Sequence, residues 1–307
     1  MQGIVIKSTG SWFRVLSEDK TYECRIKGKF RLKGIKTTNP VAVGDQVLFD
    51  LEDDDETGVI TKIFDRKNYI IRKSVNLSKQ TQILAANIDQ VFLLITIDNP
   101  PTHTGFIDRF LVSAEAYHIP AVLVFNKMDE VSKDEYLRYK QEIIKDIYEN
   151  IGYECIELSA KEQYNIDIIK KKMHNKVSTF AGHSGVGKST LVNAIEPTLN
   201  LKTKEVSTSH SQGQHTTTFA AMYPLSFGGF IIDTPGIKGF GLVDMEKSEL
   251  SNYFPEFFKL KENCKFNNCL HVNEPHCAIK EAVEQEIVDI SRYENYVQML
   301  EDDQNYR

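Results

Sequence analysis

The sequence predicts a multidomain protein with an N-terminal β-barrel, a central α/β domain and a C-terminal, mostly helical domain that binds metal. Three observations support this organisation. Residues 1–70 contain about five β-rich segments separated by turn residues, and from about residue 75 short apolar runs alternate with helical patterns. From about residue 246 the chain is polar and carries a cluster of Cys and His. We therefore expect domains at 1–70, 75–245 and 246–307, which suits a chain of 307 residues.

The composition is that of an ordinary globular protein, with 41% hydrophobic and 26% charged residues. The apolar run Val91–Ile97 is far shorter than the ~20 residues that cross a bilayer, and the N-terminus lacks a signal-peptide pattern. Three of the five cysteines are clustered, which indicates a metal site in a reducing compartment rather than a disulfide framework. We therefore expect a cytoplasmic protein with no membrane partner.

The first 70 residues are predicted to form a small closed barrel such as an OB-fold. Its expected strands are Ile4–Lys7, Trp12–Leu16, Thr21–Ile26, Gln46–Leu51 and Gly58–Phe64. Residues 1–40 carry nine Lys/Arg against three Asp/Glu, although the whole chain has a net charge of −6. This local excess suits RNA phosphates, and a solvated strand face is an equally good interpretation. The aromatic residues Trp12, Phe13, Tyr22 and Phe30 can stack on bases, but in so small a barrel they more often form the core.

The central region is predicted to be a mostly parallel sheet with helices on both faces. The expected strands are Val91–Ile97, Ala121–Phe125, Cys155–Leu158, Ser178–Ala181, Phe219–Tyr223 and Phe230–Ile232. The expected helices are Gly105–His118, Asp134–Asn150, Asn165–His174 and Gly187–Ile195.

Residues 182–189 fit the phosphate-loop pattern G-x-x-x-x-G-K-[ST], between a predicted strand and a predicted helix. The glycines let backbone N–H groups converge on phosphate oxygens at a helix N-terminus. We expect Lys188 to neutralise the β- and γ-phosphates and Ser189 to bind Mg²⁺. The predicted nucleotide contacts from this segment are Gly182, His183, Ser184, Gly185, Val186, Gly187, Lys188, Ser189 and Thr190.

Two further strand ends carry residues that suit a guanine base. Asn126, Lys127 and Asp129 follow Ala121–Phe125, and the Asp129 carboxylate can accept hydrogen bonds from the guanine N1–H and 2-amino group, which selects GTP over ATP. An ordinary helix N-cap is the alternative role for Asp129. Ser159, Ala160 and Lys161 end the next strand and fit the loop that supports the base.

Asp233 and Gly236 end the last predicted strand, where an acid can hold Mg²⁺ and a backbone N–H can sense the γ-phosphate. Residues 207–218 have the composition of a mobile switch, in which Thr217, and next Thr216, is the expected Mg²⁺-linked hydroxyl. Ile237 cannot orient water, so we expect slow intrinsic hydrolysis. His215 is a candidate catalytic residue, with a solvent-facing loop histidine as the alternative.

The Cys/His cluster has the pattern C-x4-C-x-H-x5-C and supplies three thiolates and one imidazole from Cys264, Cys269, His271 and Cys277. This is a complete tetrahedral set for Zn²⁺ with no open position, which indicates a structural site. His276 is a competing ligand. Lys259, Lys261 and Lys265 flank the cluster and suit nucleic-acid phosphates, or are solvated surface residues.

The guanine elements precede the phosphate loop, and this rotated order resembles that of the circularly permuted GTPases. The barrel, residues 213–218 and the Cys/His cluster are similar to the small-subunit-dependent GTPase A (RsgA) family over essentially the whole chain. Gln214 stands where that family more often has a basic residue. The resemblance implies an OB-fold, a permuted GTPase and a zinc domain, which bind the small ribosomal subunit and its rRNA late in assembly.

The same resemblance implies a GTPase that the small subunit stimulates, with GTP/GDP, Mg²⁺ and one structural Zn²⁺. We expect a monomer. The alternative is an RNA-binding chaperone for which nucleotide is mainly a ligand, and it would bind any single strand with a steep salt dependence.

Overall fold

The computed structural model describes residues 1–26, 40–52, 56–73, 81–200, 220–233 and 245–301. These residues form two compact units. The first unit contains the described residues of Met1–Phe92, Ile166–Ala181 and Val192–Gly239, and the second those of Leu93–Asn165, Gly182–Leu191 and Phe240–Arg307. None of the described helices is both long and apolar enough to cross a membrane.

The first unit begins with a closed five-stranded barrel. Its strands are β1 (Gln2–Ser8), β2 (Phe13–Ser17), β3 (Lys20–Ile26), β4 (Gln46–Leu51) and β5 (Thr57–Ile63). The order is β1-β2-β3-β5-β4, and β4 pairs back with β1 to close the barrel. All these pairings are antiparallel except the parallel pairing of β3 with β5. The predicted N-terminal barrel is therefore confirmed.

The aromatic residues of the barrel, which could form the core or stack on bases, differ in their burial. Phe13 and Tyr22 are buried together with Val15, Val47 and other apolar side chains. Trp12 is 42% exposed at the turn that joins β1 and β2. Phe30 lies outside the described residues.

A two-stranded sheet that we did not predict follows the barrel. It pairs β6 (Tyr69–Lys73) with β7 (Thr81–Ala86) in antiparallel fashion. Just before β6, the Arg66 guanidinium donates to both carboxylate oxygens of Asp45 at 2.6 Å, and both side chains are almost fully buried. This ion pair joins the end of the barrel to the segment that leads to β6.

The first unit continues with a mixed sheet. It contains the start of β8 (Gln90–Ile95), β11 (Val177–Ala181), β13 (Phe230–Asp233) and β12 (Ala221–Pro224), in the order β8-β11-β13-β12. β11 and β13 are parallel, and β12 is antiparallel to β13. Helix α4 (Ile166–Met173) buries three apolar residues: Ile166, Ile169 and Met173.

The second unit contains the end of β8, then β9 (Ala121–Phe125) and β10 (Glu154–Glu157), in the order β10-β9-β8. Its first helices are α1 (Thr104–Ala116), α2 (Met128–Val131) and α3 (Glu135–Ile151). The helix α5 (Lys188–Ile195) follows the phosphate loop and runs from the second unit into the first.

The rest of the second unit is mostly helical, as predicted. It contains a 3-10 helix at Lys247–Tyr253 and the helices α6 (Pro255–Leu260), α7 (Ala278–Glu284) and α8 (Ile290–Glu301). Their core contains Phe254, Phe257 and Tyr296, and Val112 of α1 belongs to the same cluster. Helix α1 therefore contributes to the C-terminal core as well as following strand β8.

Candidate nucleotide site and metal centre

The phosphate loop joins β11 to α5, in the setting that its sequence pattern requires. Ser184 and Gly185 are exposed, whereas Val186 is buried beneath them. The backbone of the loop is therefore available to an anion on one side and anchored to the core on the other.

Two glycines of the loop are required by close backbone approach. Gly182 has φ +139°, and a Cβ atom there would lie 2.8 Å from the carbonyl oxygen of Leu94. Gly187 has φ +95°, and a Cβ there would lie 2.4 Å from the Asn126 amide nitrogen. Any larger residue at either position would displace the loop or the elements beside it.

Lys188 lies at the start of α5, and its side chain turns back over the loop. The ammonium group donates to the carbonyl oxygens of Gly182 at 2.5 Å and His183 at 2.9 Å. A phosphate placed above the loop would be in reach of the same ammonium group, which is the role predicted for Lys188.

Asn126 links the phosphate loop to the base-binding loops. Its buried amide donates to the carbonyl oxygen of Val186 at 2.8 Å and accepts from the Ala160 N–H at 3.0 Å. The three predicted segments, separated in sequence by up to 60 residues, therefore meet at one side chain.

The Asp129 side chain, on the short helix α2, is oriented by a hydroxyl group. The Ser159 hydroxyl donates to an Asp129 carboxylate oxygen at 2.6 Å. Lys127 has a left-handed backbone with φ 66°, and its ammonium group donates to the carbonyl oxygen of Asn99. No side-chain cap is seen at the short helix α2, so the described contacts do not support the N-cap alternative for Asp129. Lys161 is exposed.

Asp233 ends β13 in the first unit, opposite Ala221 of β12. The neighbouring Ile232 carbonyl oxygen accepts from the Thr179 hydroxyl at 3.0 Å, which ties β13 to β11. The remaining predicted switch and catalytic residues lie outside the described residues: His215, Thr216, Thr217, Gly236 and Ile237. Their roles stay predictions.

The four predicted metal ligands converge. The donor atoms of Cys264, Cys269, His271 and Cys277 all lie within 4.8 Å of one another. The His271 Nδ1 atom is 3.6 Å from the sulfur of Cys264 and 3.4 Å from that of Cys277. His276, the competing candidate, is exposed and does not belong to this cluster.

The loop that carries His271 is held from two sides. The Glu274 carboxylate accepts from the N–H groups of Leu270, Val272 and Asn273 at 2.8 to 3.1 Å. The hydroxyl groups of Tyr293 and Tyr296, both on α8, donate to the carbonyl oxygens of His271 and Leu270 respectively. The hydrogen bonds to Glu274 lower the pKa of its carboxyl group against the opposing effect of burial.

The chemistry of this donor set fits a divalent cation with soft ligands. Burial lowers the pKa of His271, so the imidazole is neutral near pH 7, which is the form that binds metal. Three sulfurs and one imidazole nitrogen would supply all four ligands of a tetrahedral Zn²⁺ site. The cluster is therefore suited to a structural ion rather than a catalytic one.

Several positioning residues were not predicted from the sequence. Glu274 gave no signal because an acid in a polar loop is common. Asp108, an acid on the buried side of an apolar helix, was a visible signal that we did not use. Its partner Arg292 is 184 residues away and follows no local pattern.

Comparisons with known proteins agree with this geometry. A family model described as RsgA GTPase matches residues 63–243, and one described as RsgA N-terminal domain matches residues 2–60. A protein of Christiangramia forsetii, called small ribosomal subunit biogenesis GTPase RsgA, is 63% identical over 100% of this chain and 98% of its own length.

Two solved structures are similar over nearly the whole chain. YjeQ from Thermotoga maritima is 38% identical with a TM-score of 0.81, and the match covers 98% of this chain and 97% of that one. YloQ, described as a circularly permuted GTPase, is 33% identical with a TM-score of 0.77, covering 98% and 94%.

Proposed function

The chain belongs to the RsgA GTPase family and hydrolyses GTP, and we propose that it acts as a late assembly factor of the small ribosomal subunit. The observation that carries the proposal is the meeting of the phosphate loop and both base-binding loops at Asn126. That arrangement suits one guanine nucleotide, and the chain matches curated small-subunit biogenesis GTPases over its full length.

Within this site we assign nucleotide recognition to three groups. The N–H groups of residues 182–190 and the Lys188 ammonium bind the phosphates, Asp129 reads the guanine edge, and Asn126, Ser159 and Ala160 hold the loops in register. Lys127 and Lys161 flank the base. The contacts described above and the chemistry of guanine and phosphate support this assignment.

A bound Mg²⁺ would neutralise charge on the β- and γ-phosphates. We assign its protein ligands to Ser189 and Thr217, with Asp233 acting close by. His215 is our candidate for orienting the attacking water, and the Gly236 N–H for sensing the γ-phosphate. Because Ile237 cannot orient water, we propose that intrinsic turnover is slow and that the small subunit accelerates it.

The flanking domains are proposed to bind rRNA. Residues 1–40 of the barrel domain carry nine Lys/Arg against three Asp/Glu, Trp12 is exposed there, and the domain at 246–307 carries lysines around the Cys/His cluster. We propose that Cys264, Cys269, His271 and Cys277 hold a structural Zn²⁺, that residues 75–245 form the permuted GTPase, and that the monomer works in the cytoplasm.

Steady-state GTP turnover with and without purified small subunits tests this function. We expect acceleration by small subunits and little change with large subunits at the same concentration. Unchanged turnover with small subunits would contradict the proposal. Equal binding of any single-stranded RNA, with a steep salt dependence, would favour the chaperone alternative instead.

A further inference from the structure

A buried charged cluster fixes α1 to the C-terminal helices within the second unit. The Asp108 carboxylate on α1 is 0% exposed, and the Arg292 guanidinium on α8 is 1% exposed. Arg292 Nη1 donates to Asp108 at 2.6 Å, and the same guanidinium donates to both oxygens of Glu256 on α6 at 2.8 and 3.1 Å. One guanidinium thus joins three helices.

Asp108 has two further donors. The Asn295 amide of α8 and the Tyr148 hydroxyl of α3 each donate to it at 2.6 Å. Each of the three donors stabilises this buried carboxylate, because a lost donor leaves its charge less well compensated in a low-dielectric interior. The cluster therefore specifies where α1 lies relative to α3, α6 and α8.

The same helix contacts the phosphate loop. Phe106, two residues before Asp108, lies against His183 with the ring centroids 3.6 Å apart and the planes tilted by 34°. Burial, with Lys188 and His103 nearby, lowers the pKa of His183, so two uncharged rings meet near pH 7. The His183 carbonyl oxygen also accepts from the Lys188 ammonium at 2.9 Å, so Phe106 supports a residue that positions this ammonium.

We propose that Phe106 is a positioning residue for the phosphate loop and that the Asp108–Arg292–Glu256 cluster sets its position. The C-terminal helices then influence nucleotide affinity through α1. This route is made entirely of described residues of one unit and does not involve residues 234–244. The inference rests on the proposed binding of guanine nucleotide at residues 182–189, and the wild-type affinity tests that premise separately.

The Phe106–His183 contact is tested by a double-mutant cycle on the full chain. Dissociation constants for a fluorescent GDP analogue are measured for wild type, Phe106→Ala, His183→Ala and the double variant. We expect Phe106→Ala to weaken binding by roughly three- to tenfold, as for other aromatic pairs. The loss in the double variant should be much smaller than the product of the two single losses. Fully multiplicative effects would overturn the role of Phe106.

The cluster is tested by a matched pair of tyrosine variants. Tyr148→Phe removes the hydroxyl that donates to Asp108, whereas Tyr153→Phe removes one that donates to Glu115, near the other end of α1, at 3.0 Å. Both changes delete one oxygen beside an acid of the same helix, so both lower the melting temperature. Only Tyr148→Phe is expected to weaken GDP binding, by roughly two- to tenfold.

Arg292→Lys completes the test, because lysine keeps the charge but cannot bridge two carboxylates in the same way. We expect this variant to weaken GDP binding. Combined with Phe106→Ala, the loss of affinity should be smaller than the product of the two separate losses. Unchanged affinity in folded Tyr148→Phe and Arg292→Lys, or an equal loss in Tyr153→Phe, would overturn the proposal. Failure of the wild type to bind GDP would contradict the proposed function instead.

Discussion

The nucleotide loops and the Cys/His loop are both irregular segments built to hold a ligand, but they are stabilised differently. The nucleotide loops leave the ends of buried strands and are joined by Asn126 through hydrogen bonds that need no ligand. The Cys/His loop packs on a small helical core and brings three sulfurs and one imidazole within 4.8 Å. We therefore expect the nucleotide loops to keep their positions without a nucleotide, and the Cys/His loop to depend on its ion.

The largest effect is therefore expected from Cys277→Ser, which removes a buried ligand. Structural Zn²⁺ contributes on the order of 10 kcal/mol to small domains, so we expect residues beyond about 255 to unfold first. Helix α1, which shares their core and the Asp108–Arg292 contact, should lose protection with them, while the remaining strands and helices of the GTPase domain stay folded. Hydrogen exchange by region and zinc content measure this result. Cys155→Ser, a half-buried cysteine outside the cluster, is the control. Simultaneous loss of the GTPase domain would show that the two regions do not differ as described.

Lys188→Ala in the nucleotide site is expected to have the opposite profile, with a large effect on turnover and a small one on stability. Removing a charge that stabilises the phosphates is expected to lower turnover by about a hundredfold or more, or about 2.7 kcal/mol. The melting temperature is expected to change little, because the loop keeps Gly182, Gly187 and the Asn126 contacts. GTP turnover and thermal melting give the two readouts. A large loss of stability would contradict the claim that the loop is preformed.

Asp129→Asn tests the residue of the nucleotide site that is predicted to read the base. An amide cannot accept from both guanine donors, so GTP affinity is expected to fall by roughly a hundredfold. Xanthosine triphosphate presents a carbonyl at that position and is expected to bind the variant better than GTP. Competition binding with both nucleotides decides the point. An unchanged preference for GTP would refute the base-reading role.

The smallest effect is expected at Glu196, which joins the end of α5 to the turn between β12 and β13. Its carboxylate accepts from the Ser226 N–H and the Thr198 hydroxyl, both at 2.7 Å, and these bonds lower its pKa. The stabilisation that these bonds give is therefore fully present above about pH 4.5, the ordinary pKa of the carboxyl group. It is lost as pH falls through the lower pKa of the folded state.

We expect Glu196→Gln to cost about 1 kcal/mol near pH 7. The difference from wild type should shrink as pH falls below about 4.5. Denaturant unfolding across this pH range is the measurement. A difference that stays constant with pH would mean that the charge of Glu196 does not contribute.

The two regions also differ in what their sequences reveal. The phosphate loop was predictable because only glycine allows the backbone approach seen at Gly182 and Gly187, and apolar runs such as Ala121–Phe125 became buried strands with the predicted bounds. The four metal ligands were predictable from residue type. The partnership of Asp108 with Arg292 was not, because a contact between positions so far apart follows no periodicity. The pairing of β6 with β7 was also missed, because these segments lie at the boundary between the two predicted domains.

For an assembly factor that the small subunit stimulates, we propose that the nucleotide bound at residues 182–189 sets how tightly the chain holds that subunit. The most direct test measures the dissociation constant for purified small subunits with a non-hydrolysable GTP analogue and with GDP, in the same buffer. We expect at least tenfold tighter binding with the GTP analogue, equivalent to about 1.4 kcal/mol. Equal dissociation constants in the two nucleotide states would contradict the claim.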